Sequence, residues 1–441
     1  MKPEVYRKRR EALMAQVGED GIALLPSSRE FRRNGDVDFP FRQESHLLYL
    51  TGFGEPQSIA VLRPGDEAPF RLFVRERDPA QELWLGTRAG LEGAKSDFGA
   101  DDSAAITAFE EKLPELLRGR KRLFHRPGID PAFDAVVERV LGELRAKTRD
   151  GVQVPALTED LGATVAEMRL FKDEHELEVM RRSAQITAEA HCAAMRCARP
   201  GLNEGELQAV VEYVFRRRGA QSVGYGSIVA GGNNACVLHY VTNDQVIDDG
   251  ALILIDAGCE LDGYSADITR TFPASGKFSP EQRDLYQAVL DAQLASIEKS
   301  RAGVRFSEVH DVSVRILTER LIELGLLKGS VDEAIETESY KRYYPHKTGH
   351  WLGMDVHDCG QYFESEGVTR KLRAGMVMTI EPGLYVRADD EEAPERFRGI
   401  GIRIEDDVVI TAGEPEILTA DAPKEIAAIE ALMAEAAELP L

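Results

Sequence analysis

The chain has 441 residues, 43% of them hydrophobic, and so exceeds the size at which a single core stops growing; two domains are predicted. Its 76 acidic side chains against 54 basic ones give a formal charge of −22. That balance argues against nucleic acid or an anionic membrane as a partner, and it leaves carboxylates available to hold cations.

The opening stretch, MKPEVYRKRR, is charged and lacks the apolar segment of a secretory signal. No run of about 18 apolar residues occurs, so no membrane span is expected. The five cysteines, Cys192, Cys197, Cys236, Cys259 and Cys359, are odd in number and form no CxxC pair. Reduced, mostly buried thiols in a cytoplasmic protein are the expectation.

Within the first domain, GIALLP (21–26), SIAVLRPG (58–65) and FRLFVRE (70–76) read as strands, and 103–118 and 131–147 as helices. The expected division is a small α/β domain over 1–170 and a second domain over 171–441. A long helix is predicted from about Asp173 to Pro200-Gly201. The next is capped at Asn203, with Glu206 three residues on, and ends at Gly219. Strands follow at YGSIVAGG, ALILIDAG and YSADITRTF. A second round of the same order begins at Ser279-Pro280-Glu281-Gln282, continues with a helix from Ser307 to Gly325, and closes with MVMTIEPGLYV and GIGIRIEDDVVIT. The repetition suggests a pseudo-two-fold, two-layer α/β arrangement with a site between the halves.

Both rounds end in strands that carry acids inside apolar runs, where a carboxylate is costly unless paired or bound to a cation. Asp256 closes ALILID, and Asp267 follows eleven residues later, beyond the turn ELDG. Glu381 follows MVMTI directly. Glu405 follows GIGIRI and shares a face with Arg403. His350 lies in PHKTGHWLGMDVHD, where His346, His350 and His357 cluster; His346 is read as support for its loop. Four carboxylates ask for about two divalent cations. An oxygen-rich set with one imidazole and no thiolate suits Mn²⁺ or Co²⁺ better than a structural zinc. A pair of such ions implies hydrolysis.

Taken together, IDAGCELDGYSADITRTF, HKTGHWLGMDVHD, MVMTIEPGLYV and GIGIRIEDDVVI resemble the "pita-bread" metallopeptidases, the group of methionine aminopeptidase, prolidase and aminopeptidase P. DVDFPFRQESHLLYLTGFGEPQSIAVL and the linker MRLFKDEHELEVMRRS are similar to aminopeptidase P in particular. The resemblance implies a creatinase-like N-terminal α/β domain, serving oligomerisation and substrate access, before a pita-bread catalytic domain. It implies removal of an N-terminal residue ahead of a penultimate proline by a water or hydroxide bridging two Mn²⁺, with Co²⁺ or Zn²⁺ as substitutes. Asp256 would bind one ion, His350 and Glu381 the other, with Asp267 and Glu405 bridging.

Glu381 would also be the proton acceptor, and His239 and His357 would contact the substrate. The likeness further assigns Arg403 to orienting a metal-bound carboxylate, Tyr225 and Tyr385 to the metal surroundings, and Trp84 and Arg149 to the substrate pocket. A homotetramer or dimer acting on proline-containing peptides is implied. Lys347-Thr348 and QYFESEGVTRKL depart from the family's pattern. A prolidase limited to dipeptides and an inactive binding protein are the alternative readings.

Overall fold

Residues 2–436 are described by a computed structural model, in which the chain divides into two units, Met1–Arg169 and Leu170–Leu441. The first unit is organised by the run GIALLP. Its strand, Gly21–Pro26, is buried along its first five residues and lies inside a six-stranded sheet. Ile59–Leu62 flanks it antiparallel and Arg122–His125 parallel. The parallel pairings require crossovers, which the helices Phe109–Leu117 and Pro131–Arg145 supply. Leu113, Val137 and Val140 from these helices pack on Ile22, Leu24 and Leu123 of the sheet.

The segment expected as a helix over 103–118 is divided in the structure. Asp102–Ala105 is an edge strand parallel to Phe70–Val74, and the helix begins only at Phe109. Sheet pairing with Phe70–Val74 overrides the strong helical preference of the alanines there. The helix Pro3–Val17 and the short exposed hairpin Arg32–Asn34 with Val37–Asp38 carry no pattern strong enough to be read in advance.

In the second unit, four helices stand where their caps place them. Glu174–Cys197, Glu204–Arg217 and Pro280–Lys299 each open on a complete capping box, at Asp173/Glu176, Asn203/Glu206 and Ser279/Gln282. The fourth, Phe306–Glu323, follows. Between the helices lie several small antiparallel sheets, two of which are joined to each other. One orders Ile228–Gly231, Leu252–Ala257 and Ile268–Pro273; the other orders Val377–Ile380, Asp406–Val409 and Glu416–Ile417. A bridge between Thr269 and Glu405 joins them.

The acids sit where strands stop or change partner. The run 376–386 breaks at Glu381-Pro382 into Val377–Ile380 and Gly383–Val386, which belong to different sheets. Proline has no N–H to continue a ladder. The run 399–411 likewise breaks at Ile404-Glu405. Asp262 and Gly263, both with positive φ, make the tight turn expected of ELDG. At Gly258 an added Cβ would lie 1.7 Å from the Ala266 carbonyl oxygen, so only glycine lets the two aspartate-bearing segments approach there.

Beneath the second sheet lies a fully buried ion pair. Arg270 Nη2 donates to Asp406 Oδ1 at 2.7 Å and Nη1 to the Glu405 carbonyl at 2.6 Å. Lys424 Nζ and Gln293 Nε2 donate to Asp406 Oδ2 at 2.6 and 2.7 Å. Burial opposes ionisation of Asp406, but Arg270 and Lys424 outweigh it and take the carboxyl down to about 2. Arg270→Met should therefore strand a buried charge and destabilise the protein by about 3–5 kcal/mol. Thermal unfolding checks this: the midpoint should fall clearly, and an unshifted midpoint would show that the pair adds nothing.

Candidate metal centre

The sheet ends bring Asp256, Asp267, His350, Glu381 and Glu405 to the floor of a cavity of about 550 Å³. Tyr225, His239, His346, His357 and Arg403 also line it. Atoms of Asp267, His350 and Glu405 able to ligate an ion lie within 4.8 Å of one another. His350 Nε2 stands 3.5 Å from Asp267 Oδ2 and 3.6 Å from Glu381 Oε1. Its Nδ1 bonds the Trp351 carbonyl at 3.0 Å, which leaves Nε2 facing the acids.

Three of the four acids are aimed by backbone bonds outside the ladders, and Asp256 by its place in the ladder between Ile228 and Thr269. Glu381 N donates to the Thr348 carbonyl (2.7 Å), Glu405 N to that of Thr269 (3.1 Å), and Asp267 N to Asp407 Oδ2 (3.1 Å). At Gly349 a Cβ would come within 1.9 Å of the Thr379 carbonyl oxygen, so the His350 segment lies hard against the Glu381 strand.

Arg403 is the one guanidinium lining this cavity. Its Nη2 donates to Asp256 Oδ2 at 2.6 Å, its Nε to Thr269 Oγ1 at 3.1 Å and its Nη1 to Tyr385 Oη at 3.0 Å. Thr269 Oγ1 in turn donates to Glu405 Oε2 at 2.6 Å. The Tyr225 hydroxyl donates to Asp256 Oδ1 at 2.6 Å and also touches Asp267 Oδ1. Tyr385 therefore sits behind Arg403 instead of on the cavity wall. Trp84 and Arg149 belong to the first unit and do not line this cavity.

His239 is exposed on the cavity wall, so it is not a histidine buried in a core. His357 is exposed as well, and its ring packs edge-on against His350 with centroids 4.3 Å apart. Burial, then the charges of His350 and His239, lower the His357 pKa. His346, read from the sequence only as loop support, also lines the cavity, with Nε2 2.8 Å from Tyr385 Oη. Burial pushes it down to about 3, so it is neutral. Its place in the same histidine cluster, four residues before His350, was the signal available. Thr269 and Thr379 were equally legible as even-spaced neighbours of Asp267 and Glu381. The departing residue Thr348 is buried; its hydroxyl bonds His310 Nδ1 at 2.8 Å and Tyr344 Oη at 2.6 Å.

Four carboxylates against the guanidinium of Arg403 and the ammonium of Lys347 leave a local excess of negative charge. Burial, joined by the Asp267 and Asp256 charges and opposed by His350 and Arg403, raises Glu381 to about 7. Burial works against a charged His350, yet Asp267 and Glu381 outweigh it and raise it to about 9. Oxygen donors with one imidazole, oriented and underneutralised, fit divalent ions.

A model of metallopeptidase family M24 matches residues 178–412, and one of the aminopeptidase P N-terminal domain matches residues 6–124. The Xaa-Pro aminopeptidase of Escherichia coli is 43% identical over 433 residues, 98% of each chain. Human Xaa-Pro aminopeptidase 3 is 36% identical, covering 98% of this chain and 86% of the relative. Among solved structures, Pseudomonas aeruginosa aminopeptidase PepP superimposes with a TM-score of 0.96 at 48% identity, over 98% of each chain. Zinc-substituted E. coli aminopeptidase P in complex with product gives 0.95 at 42%, again over 98% of each.

Cation binding at this cluster should release protons. At pH 7 His350, lifted to about 9, is protonated and Glu381, lifted to about 7, is partly so. Both must lose those protons to ligate, so affinity should rise from pH 6 to pH 9. Calorimetry of Mn²⁺ binding in buffers of different ionisation enthalpy measures the release; none at pH 7 would remove His350 from the ligand set.

Proposed function

The chain belongs to metallopeptidase family M24, and on that premise we propose that it is an Xaa-Pro aminopeptidase, cleaving the bond between an N-terminal residue and a penultimate proline. The observation that carries this reading is the convergence of four carboxylates and His350 at the base of one cavity, in a chain 43% identical along 98% of its length to an Xaa-Pro aminopeptidase. We assign Asp256 to one ion, His350 and Glu381 to a second, and Asp267 and Glu405 to both. The oxygen-rich donors support two Mn²⁺, with Co²⁺ or Zn²⁺ as substitutes. When bound, such a pair supplies a water of near-neutral pKa and polarises the scissile carbonyl.

The side chains supply the rest. The Glu381 carboxylate takes the proton of the attacking water and returns it to the departing proline nitrogen. His239 and His357, exposed on the cavity wall, hold the substrate and oppose charge developing on its carbonyl oxygen. Ile228, Leu238, Val241 and Val356 offer apolar surface for the proline ring. Arg403, held by Tyr385 and Thr269, keeps Asp256 directed at the centre.

The first unit we assign to oligomerisation and substrate access. Its helix Pro79–Leu85 buries no residue and leaves Leu83, Trp84 and Leu85 81%, 81% and 70% exposed. Such a patch supports a homo-oligomer, a dimer or tetramer, in which Trp84 and Arg149 serve a substrate pocket. No helix among the described residues is long and apolar enough to cross a membrane. A cytoplasmic location suits the five thiols.

A panel of Xaa-Pro dipeptides and Xaa-Pro-Xaa tripeptides, run with Mn²⁺ and after EDTA treatment, tests the assignment. Tripeptides should be cleaved before proline, chelation should abolish turnover, and Mn²⁺ should restore it best. Hydrolysis of dipeptides alone would make the protein a prolidase; full activity without metal would contradict the scheme. Asp267→Ala and Glu405→Ala should each abolish turnover while circular dichroism stays native. Retained turnover in either would remove its bridging role.

A further inference from the structure

The linker segment Phe171-Lys172-Asp173 takes no part in the chemistry above, yet its lysine points inward. The Lys172 side chain is 1% exposed, and Nζ lies 3.1 Å from Oδ2 of Asp358, also 1% exposed. Asp358 directly follows His357 and closes the irregular loop 351–358, since its N–H donates to the Trp351 carbonyl at 2.9 Å. Gly353 packs onto the pair so tightly that a Cβ there would lie 2.2 Å from Asp358 Oδ2 and 3.1 Å from Lys172 Cε. The lysine backbone is anchored separately, with its N–H on the Gly375 carbonyl at 2.8 Å. One turn on, buried Glu176 accepts the Tyr264 hydroxyl at 2.9 Å, tying the same segment to the hairpin beside Asp267.

Lysine normally carries its ammonium to water along a flexible stem. Burying it against a carboxylate costs desolvation, and an apolar pair of equal volume commonly holds a fold as well or better. What a buried pair supplies is direction: it fixes one carboxylate, hence the backbone on either side of it. Here that backbone carries His357 at the far end of a loop whose start, Trp351 to Gly353, is tied to Met378, Val377 and Ser265, while 354–358 join no ladder. We propose that Lys172 is a positioning residue for the hydrolysis: through Asp358 it braces the loop 351–358 and so holds His357 against the substrate. This rests on the role given to His357.

The test is a mutant cycle in Mn²⁺-loaded full-length enzyme. Lys172→Met and His357→Ala are made singly and together, and kcat and KM for an Xaa-Pro-Xaa tripeptide, bound metal, and hydrogen exchange of 351–358 are measured. Lys172→Met should lower kcat by about ten- to a hundredfold, the scale of a reacting group misplaced by an ångström. KM and metal content should hold, and exchange of the loop should quicken. In the His357→Ala background it should cause no further loss. Asp358→Asn, which keeps the shape and an acceptor for Lys172, should retain most of kcat.

Should Lys172→Met fail to fold, Lys172→Met/Asp358→Leu removes both charges at similar volume; it should fold and show the same loss of kcat, and native kcat in it overturns the proposal. Equal losses in both backgrounds, or unchanged loop exchange, overturn it too. An impaired His357→Ala beside a fully active Lys172→Met refutes the brace and leaves the role of His357 standing. Native kcat in His357→Ala refutes that role instead.

Discussion

Four carboxylates facing one another across a few ångströms repel, and the second unit is arranged to keep them there. Asp256, Asp267, Glu381 and Glu405 share one guanidinium, Arg403, and one imidazole, His350. Side-chain pairing alone does not offset that repulsion, so the main chain does the holding. Glu381, Glu405 and Asp267 each have the backbone N–H tied to a neighbouring segment. Burial above all raises the pKa of Glu381, while the neighbouring Asp267 and Glu381 carboxylates, working against burial, raise that of His350.

The same constraint explains the layer beneath. Asp406 follows Glu405 and is held at full burial by Arg270 and Lys424, while Arg270 also grips the Glu405 carbonyl. Glu405 is thus fixed from behind by a neutralised pair, and its own carboxylate is left for the cavity. On the far wall His350 and Thr379 exchange backbone and hydroxyl hydrogen bonds, at 2.9 and 3.1 Å. Asp256 stays within its ladder, while Asp267, Glu381 and Glu405 point inward from the places where strands start or break. That geometry suits a fixed hydrolytic centre better than loops would.

The helices of the second unit were legible because capping is local: Asp173/Glu176, Asn203/Glu206 and Ser279/Gln282 announce themselves within four residues. The acids were legible because a carboxylate inside an apolar run is anomalous wherever it occurs. The edge strand Asp102–Ala105 was not, since four small residues become a strand only when Phe70–Val74 offers its backbone. Nor were the strand breaks at Glu381 and Glu405, which depend on which sheet each half joins.

Sequence by itself determined the composition of the centre: oxygen-rich, one imidazole, a charge excess calling for cations. It determined the order of elements as well, through local propensity and periodicity. Only the tertiary structure decided which partners each group has. It put His346 on the cavity wall, Tyr385 behind Arg403, and Lys172 beneath the His357 loop. Those contacts join residues far apart in the chain, and no local periodicity records them. Residue chemistry is written along the sequence; proximity is a property of packing.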